Sequence, residues 1–288
     1  MGTQRGNRNM TIRPLREEEI ESATALSTQA GWNHAPADWR RLLRLWPGQC
    51  LVGEVDGRIV ASGSLATYPS GSGLVGWVGL ILVDGAHRRK GFGTRIMEAI
   101  LGLGARVGVS VFGLDASDQG EPIYRKLGFA CCSEINRWAG MGVIRDSRAS
   151  LSVEAWDAVR ALDREATGVD RWPLLREFDP ATRWLDGGGR LRGFGCVRPG
   201  RVAWHLGPIC AADVRTAEEL CDELFTPSAS GDGLEIIVDV LAGSAMEGVL
   251  ARRGFAVTRR LKRMGWPGPP GVLMGGDRVF AISGFELG

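Results

Sequence analysis

The feature that most constrains this chain is residues 79–106. An apolar run (Leu80, Ile81, Leu82, Val83) reads as a buried strand, and a basic turn spaced by glycines follows it (Arg88-Arg89-Lys90-Gly91-Phe92-Gly93). Phe92, Ile96, Ala99, Ile100 and Leu103 then recur at helical spacing. A strand, a glycine turn and a helix start together make an anion site. Glycine lets the backbone approach a ligand, the first N–H groups of a helix lack partners, and the helix dipole favours negative charge there. Two familiar phosphate loops are excluded. The Walker pattern needs Ser or Thr after its Lys, and Lys90 is followed by Gly91; the dinucleotide fingerprint needs a third glycine where Ile96 stands. What remains is Arg-x-x-Gly-x-Gly, or, as the bland alternative, a solvated basic turn.

Composition narrows the class. At 288 residues the chain has room for two domains of ordinary size, and an apolar fraction of 44% supports a real core. Thirty-five basic residues against 33 acidic ones leave a net charge of +2, which gives no case for a nucleic-acid or membrane partner. Six cysteines (Cys50, Cys131, Cys132, Cys196, Cys210, Cys221) show neither Cys-x-x-Cys spacing nor a neighbouring His. They read as small buried residues in a reducing compartment, and no metal site is expected. The start has no apolar leader core, and the apolar stretch at 74–83 is too short to span a bilayer, so a cytoplasmic protein is expected.

Along the chain, residues 1–9 read as a disordered tail. A strand at 10–14 is followed by a helix opened by Glu17-Glu18-Glu19 and stopped at Gly31, and by a second short helix from Pro36 to Trp46. Asp56-Gly57 between apolar runs at 50–55 and 59–66 is a hairpin signal. After the helix of the opening stretch come a strand at 109–115, a helical segment carrying Tyr124, a left-handed cap at Gly128 and a last strand from Phe129 to Trp138.

That element order, with Arg88-x-x-Gly91-x-Gly93 after the fourth strand and Tyr124-x-x-x-Gly128-Phe129 before the last, resembles the GCN5-related N-acetyltransferase (GNAT) superfamily over residues 10–140. Residues 141–288 resemble the first half in outline. Gly128-Phe129-Ala130 recurs as Gly254-Phe255-Ala256, Gly79-Leu80-Ile81 as Gly207-Pro208-Ile209, and Gly57-Arg58-Ile59 as Gly189-Arg190-Leu191. The second copy has no Arg-x-x-Gly-x-Gly, and Leu250 stands where Tyr124 would be. The implied fold is a mixed-sheet α/β (α+β) architecture of two tandem GNAT-like acyl-CoA N-acyltransferase domains, intact at 10–140 and degenerate at 151–288, with a linker near 140–150.

The resemblance implies the chemistry. Ile81, Leu82 and Val83 lie on the strand whose backbone holds the pantetheine arm and thioester in the family. Arg88, Arg89, Lys90, Gly91, Phe92, Gly93 and Thr94 form the pyrophosphate loop, Lys90 being the more ordinary surface charge. The implied coenzyme is acetyl-CoA or another short acyl-CoA. Tyr124 matches the tyrosine that protonates the leaving thiolate; a phenol with a reference pKa of about 10 keeps its proton at neutral pH. Asp115, ending a strand, is the first candidate for general base, and its bland reading is a strand-end turn residue. Trp32, Asn33 and His34 lie in the loop that lines the acceptor pocket in the family, and His34 is a second candidate base. Ser117 stands where an asparagine is common. Trp77 and Trp138 read as core or as acceptor-pocket aromatics, and the basic run at 259–263 as a solvated strand edge.

The implied activity is direct transfer of an acetyl group to a small amine or amino-acid-like metabolite. The alternatives are a CoA-binding sensor without turnover and an aminoacyl or peptidyl transferase built on tandem domains. Neither the acceptor nor the oligomeric state is legible.

Overall fold

The computed structural model describes residues 10–145, 153–178, 182–186, 191–228, 232–267 and 276–288. The expected tail at 1–9, the second half of the expected linker and Gly189-Arg190 lie outside them. Strand β1 (Thr11–Pro14) leads to helices α1 (Ile20–Gln29) and α2 (Pro36–Leu45). Strands β2 (Cys50–Val55), β3 (Arg58–Ser70) and β4 (Gly73–Val83) follow, then α3 (Phe92–Arg106), β5 (Val109–Ala116), α4 (Glu121–Lys126) and β6 (Ala130–Ile144). The order then recurs without its first strand: α5 (Val153–Thr167), α6 (Trp172–Glu177), β7 (Thr182–Asp186), β8 (Leu191–Pro199), β9 (Trp204–Ala211), α7 (Val214–Leu224), a short β10 (Phe225–Pro227), β11 (Leu234–Leu241), α8 (Met246–Arg252) and β12 (Ala256–Trp266). Strand β13 (Val279–Ala281) closes it. The repeat reaches single hydrogen bonds. Gly128 and Gly254 both take positive φ (93° and 79°), and the next N–H reaches back in each case, Phe129 to the Tyr124 carbonyl (3.0 Å) and Phe255 to that of Leu250 (3.1 Å).

Packing divides the chain differently from the repeat, into one compact unit of residues 1–66 with 78–107 and another of 67–77 with 108–288. In the first unit the strand order is β1-β2-β3-β4. Asp56 and Gly57 both have positive φ (50° and 74°), the turn geometry that suits the twist of a two-residue hairpin, and Val55 stands opposite Arg58. Helix α3 buries Phe92, Ile96, Met97 and Ile100. Its approach to β3 is close at Gly63, where an added Cβ would lie 2.7 Å from Ile96 and 2.8 Å from Ile81.

In the second unit the order is β4-β5-β12-β6-β11-β9-β8-β7. Strand β12, from the second half of the sequence, pairs antiparallel with both β5 and β6, and β6 pairs antiparallel with β11. The halves therefore exchange their last strands. One apolar cluster gathers Leu220, Leu224, Ile236, Val238, Leu250 and Phe255; another sets Trp156, Val159 and Leu175 against Ile135, Phe194 and Cys210. The exchange corrects one expectation: residues 259–263 lie inside the sheet rather than on a solvated edge. A second correction concerns cysteine. Cys50, Cys196, Cys210 and Cys221 are buried, but Cys131 is exposed and Cys132 half-exposed, because they stand at the start of β6, whose first buried residue is Ile135. No helix among the described residues is long and apolar enough to cross a membrane.

Candidate active site

The first unit carries residues 81–94, the stretch expected to hold the coenzyme. Within β4, Leu80 has φ +52°, a left-handed conformation unusual for leucine, and is nevertheless buried. Such a residue interrupts the pleat and turns backbone groups out of register. Ser62 Oγ donates to the Leu80 carbonyl (2.9 Å) and so steadies the kink. Beyond it Ile81 and Val83 are half-buried and Leu82 is buried.

The strand ends at Asp84, whose Oδ1 accepts from the Ala86 N–H (3.0 Å) and lies 2.8 Å from His87 Nδ1. The hydrogen bond to His87 is the main reason the Asp84 carboxyl titrates below its ordinary value, with smaller help from Gln29. Arg88, Arg89 and Lys90 are exposed. Arg88 Nε donates to the Val83 carbonyl (3.2 Å) and Lys90 Nζ to that of Ala86 (2.9 Å), so both side chains fold back on the loop. Gly91, with φ +80°, is the residue before α3. The helix has no side-chain cap and no acidic residue in its first turn, and its first internal hydrogen bond runs from the Arg95 N–H to the Gly91 carbonyl (3.1 Å). The N–H groups of Phe92, Gly93 and Thr94 thus have no partner within the helix, and the dipole's positive end is uncompensated there.

The loop 31–35 belongs to the same unit. Trp32, Asn33 and His34 are half-buried, with the Trp32 and His34 rings 5.7 Å apart at 45°. Gln29, at the end of α1, ties this region to the coenzyme loop: its Oε1 accepts from the Gly85 N–H (2.9 Å) and its Nε2 donates to Asp84 Oδ2 (3.1 Å). Sequence reasoning missed Gln29, because nothing local marks a glutamine as a link across 55 positions of chain.

The second unit carries Tyr124 and Asp115. Tyr124 is buried on α4 with its ring 6.3 Å from that of Phe129, and burial raises its hydroxyl well above the ordinary phenol range. The phenol therefore keeps its proton at physiological pH. Gly120 gives the ring its room: a Cβ there would lie 2.7 Å from the Tyr124 ring.

Asp115 departs from the expected base. Its two oxygens accept from Arg263 Nε and Nη2, each at 2.9 Å, with side-chain exposures of 0% for Asp115 and 2% for Arg263. The carboxylate is closed to solvent and committed to a counter-ion. Burial raises its pKa, against the pull of Arg263. Arg263 also stacks over the Trp77 ring at 4.5 Å, and the Trp77 indole N–H donates to the Phe285 carbonyl (2.8 Å). Trp77 is thus a core residue with a satisfied polar edge, as is usual for buried tryptophan. Arg263 was hidden in the basic run. The alternation of Arg259, Leu261 and Arg263 with Arg260 and Lys262 was the available signal that one face of the strand points inward.

Known proteins place this geometry. Residues 13–129 match the model of the acetyltransferase (GNAT) family, and residues 159–270 match that of an acetyltransferase (GNAT) domain. No protein of curated function matches the sequence. Among solved structures, a putative acetyltransferase from Pyrococcus horikoshii is similar over 100% of this chain and 99% of its own, with a TM-score of 0.79 at 21% identity. A GCN5-related N-acetyltransferase from Sphaerobacter thermophilus is similar over 89% of this chain and 95% of its own (TM-score 0.59, 13% identity). A tandem GNAT protein from the clavulanic acid biosynthesis pathway is similar over 91% and 99% (TM-score 0.59, 15% identity). At these identities the likeness is one of fold; the family models carry the class. The chain is a two-domain protein of the GNAT acetyltransferase family. It belongs with the enzymes that transfer an acyl group from acyl-coenzyme A to an amine.

Proposed function

We propose that the chain transfers the acetyl group of acetyl-CoA to a small amine or amino-acid-like metabolite, using one coenzyme site built on the first GNAT repeat. The observation that carries this reading is the kinked β4 at Leu80 running into the uncapped, basic N-terminus of α3. The kink offers strand backbone to a pantetheine arm, and the free N–H groups of Phe92, Gly93 and Thr94 suit a pyrophosphate. Arg88 and Arg89 add positive charge at that end. Trp32, Asn33 and His34 are assigned to the acceptor.

In this reading a neutral amine attacks the thioester carbonyl, forming the C–N bond, and the tetrahedral intermediate then expels the thiolate. Tyr124 supplies the proton that thiolate requires. The tyrosinate this leaves regains its proton through solvent, which receives one from the ammonium formed at the amine, so the proton count closes. Asp115 is assigned to holding Arg263 and Trp77 rather than to taking the amine's proton, which leaves to solvent.

Gly91→Asp tests the coenzyme site. It places a carboxylate where the phosphates would lie, and Gly91 has open space around its Cβ position, so steric overlap is avoided although its positive φ adds backbone strain. Isothermal titration with acetyl-CoA is expected to show affinity reduced by at least about a hundredfold, from charge repulsion at a helix N-terminus. Unchanged affinity would remove the site. A coenzyme-release screen across amines, amino acids and polyamines then identifies the acceptor. Binding of acetyl-CoA with no release on any acceptor would favour the sensor reading.

A further inference from the structure

The second repeat contains two parallel strands that part, and the chain itself fills the gap between them. Strands β9 and β11 run parallel and pair only at residues 204–206 and 236–238. In the first repeat the parallel pairing of β4 with β5 likewise stops, at Trp77 and Gly113. Beyond Leu206 and Val238, residues 279–282 enter between β9 and β11. Val279 stands opposite Cys210 and Ala281 opposite Ile209, the Ala211 N–H donates to the Arg278 carbonyl (3.0 Å), and on the other side the Ile282 N–H donates to the Asp239 carbonyl (2.9 Å). Phe280 packs into the α7–α8 cluster while Val279 and Ile282 pack into the α5–α6 cluster, so the segment is anchored in both cores.

Its neighbours are shaped for it. Gly207 has φ +148°, and a Cβ there would lie 2.2 Å from the Ile282 carbonyl oxygen, so only glycine permits this approach. Arg198 is buried and donates to both the Gly207 carbonyl (2.7 Å) and the Ser283 carbonyl; buried Arg171 donates to Ser283 Oγ (2.8 Å). The other end of the repeat is closed independently. At the start of α7, the position matching the open start of α3, Asp213 Oδ1 accepts from the Thr216 N–H (2.7 Å), and that bond holds its carboxyl below the usual range. A carboxylate already occupies the place an incoming phosphate would take.

We infer that the second repeat is a self-occupied coenzyme cleft, with residues 279–282 standing where a pantetheine arm would lie and Asp213 where a pyrophosphate would lie, so that it admits no acyl-CoA. The inference rests on the acyl-CoA reading of the first repeat only for the identity of the excluded ligand. The segment is a fixed strand of the second repeat and stays seated while the first repeat binds its coenzyme.

The test uses the full-length chain and acetyl-CoA. Isothermal titration gives the number of sites per chain, and hydrogen exchange read by mass spectrometry follows residues 279–282 with and without saturating acetyl-CoA. One site, with strong protection of 279–282 unchanged by ligand, is the expected result. Two sites, or protection at 279–282 lost on binding, would overturn the inference. No binding at all with 279–282 still protected would sink the first-repeat reading while leaving the closed second cleft standing. Gly207→Ala supplies the complementary test. The Cβ should unseat Ile282 and raise exchange at 279–282 by roughly tenfold or more, with acetyl-CoA affinity within about threefold of the native chain; unchanged exchange would mean that the segment is not held as described.

Discussion

Breaking the Asp115–Arg263 pair gives the sharpest test of how the second unit is held together. Both side chains are essentially sequestered, at 0% and 2% exposure, and joined by two hydrogen bonds of 2.9 Å across 148 positions of sequence. Arg263→Met keeps an unbranched side chain that packs in an apolar site but removes the guanidinium and its charge, leaving Asp115 buried without its counter-ion. Loss of one partner from such a pair costs about 3–5 kcal/mol. For a protein of this size that corresponds to roughly 6–20 °C in Tm, at about 2–4 °C per kcal/mol. Asp115→Leu combined with Arg263→Met removes both charges, and it should bring stability back to within about 2 kcal/mol of the native chain, since a well-packed apolar pair can replace a buried ion pair. The assay is a thermal melt followed by near-ultraviolet circular dichroism, to which Trp77 beneath the guanidinium should contribute. A single variant as stable as the native protein, or a double variant no better than the single one, would refute the claim that Asp115 exists for Arg263. The same cycle bears on catalysis. Asp115→Asn should retain turnover to within a few-fold at a temperature where it is folded, whereas loss of a general base lowers the rate by about 10²-fold or more.

Tyr124→Phe should leave acetyl-CoA affinity unchanged and lower kcat by about 10²-fold, the scale of a lost general acid; an equal rate would make the tyrosine a packing residue. His205 predicts an acid-side loss of stability. It is buried with Nε2 3.0 Å from Asp239 Oδ2, and burial, aided by Arg198, holds its pKa below the ordinary 6.5. The unfolded chain therefore takes up a proton near pH 6.5 that the folded chain refuses, and stability, complete above that pH, falls as pH drops toward the lower folded value. Between pH 7.5 and 5.5 the loss from this group is at most about 1.4 kcal/mol. The Tm difference between those two pH values should be smaller in His205→Gln than in the native chain, and an identical or larger difference would show that folding does not lower the His205 pKa.

What could be read from the sequence was what local backbone chemistry dictates. Asp56-Gly57 and Gly128 are positions where positive φ is needed, and each is filled by a residue that tolerates it. The turn and helix start at 88–94, to which the coenzyme is assigned, were legible for the same reason, since glycine spacing and helix periodicity act within a few residues. The kink at Leu80 was not, because leucine is among the residues that avoid this conformation and only its surroundings impose it. Arg263 was misplaced for a different reason. A run of basic side chains reads as solvated unless the strand is known to lie between two others, and that follows from pairing with β5 and β6 more than a hundred positions away. The place of 279–282 was likewise beyond reach: a short apolar strand does not announce which gap it fills.

The strand exchange explains why the second repeat is integral to the last strands of the first. Strand β5, which ends at the Asp115 and Ala116 level, has β12 as its antiparallel neighbour, and β6 is flanked by β12 and β11. Without the second repeat these strands would present unpaired edges, and Asp115 would be a buried carboxylate with no cation. Helix α4, which carries Tyr124, is tied to the same strand through Lys262, whose Nζ lies 2.6 Å from Glu121 Oε2. Gly128, which caps α4, would meet the Trp266 ring at 3.0 Å if it bore a Cβ. The tyrosine assigned to proton donation is therefore positioned by a strand encoded in the degenerate half. That half holds α4 and β5 in place through hydrogen bonds, a counter-ion and close packing, and on the readings proposed above it does so with its own cleft closed.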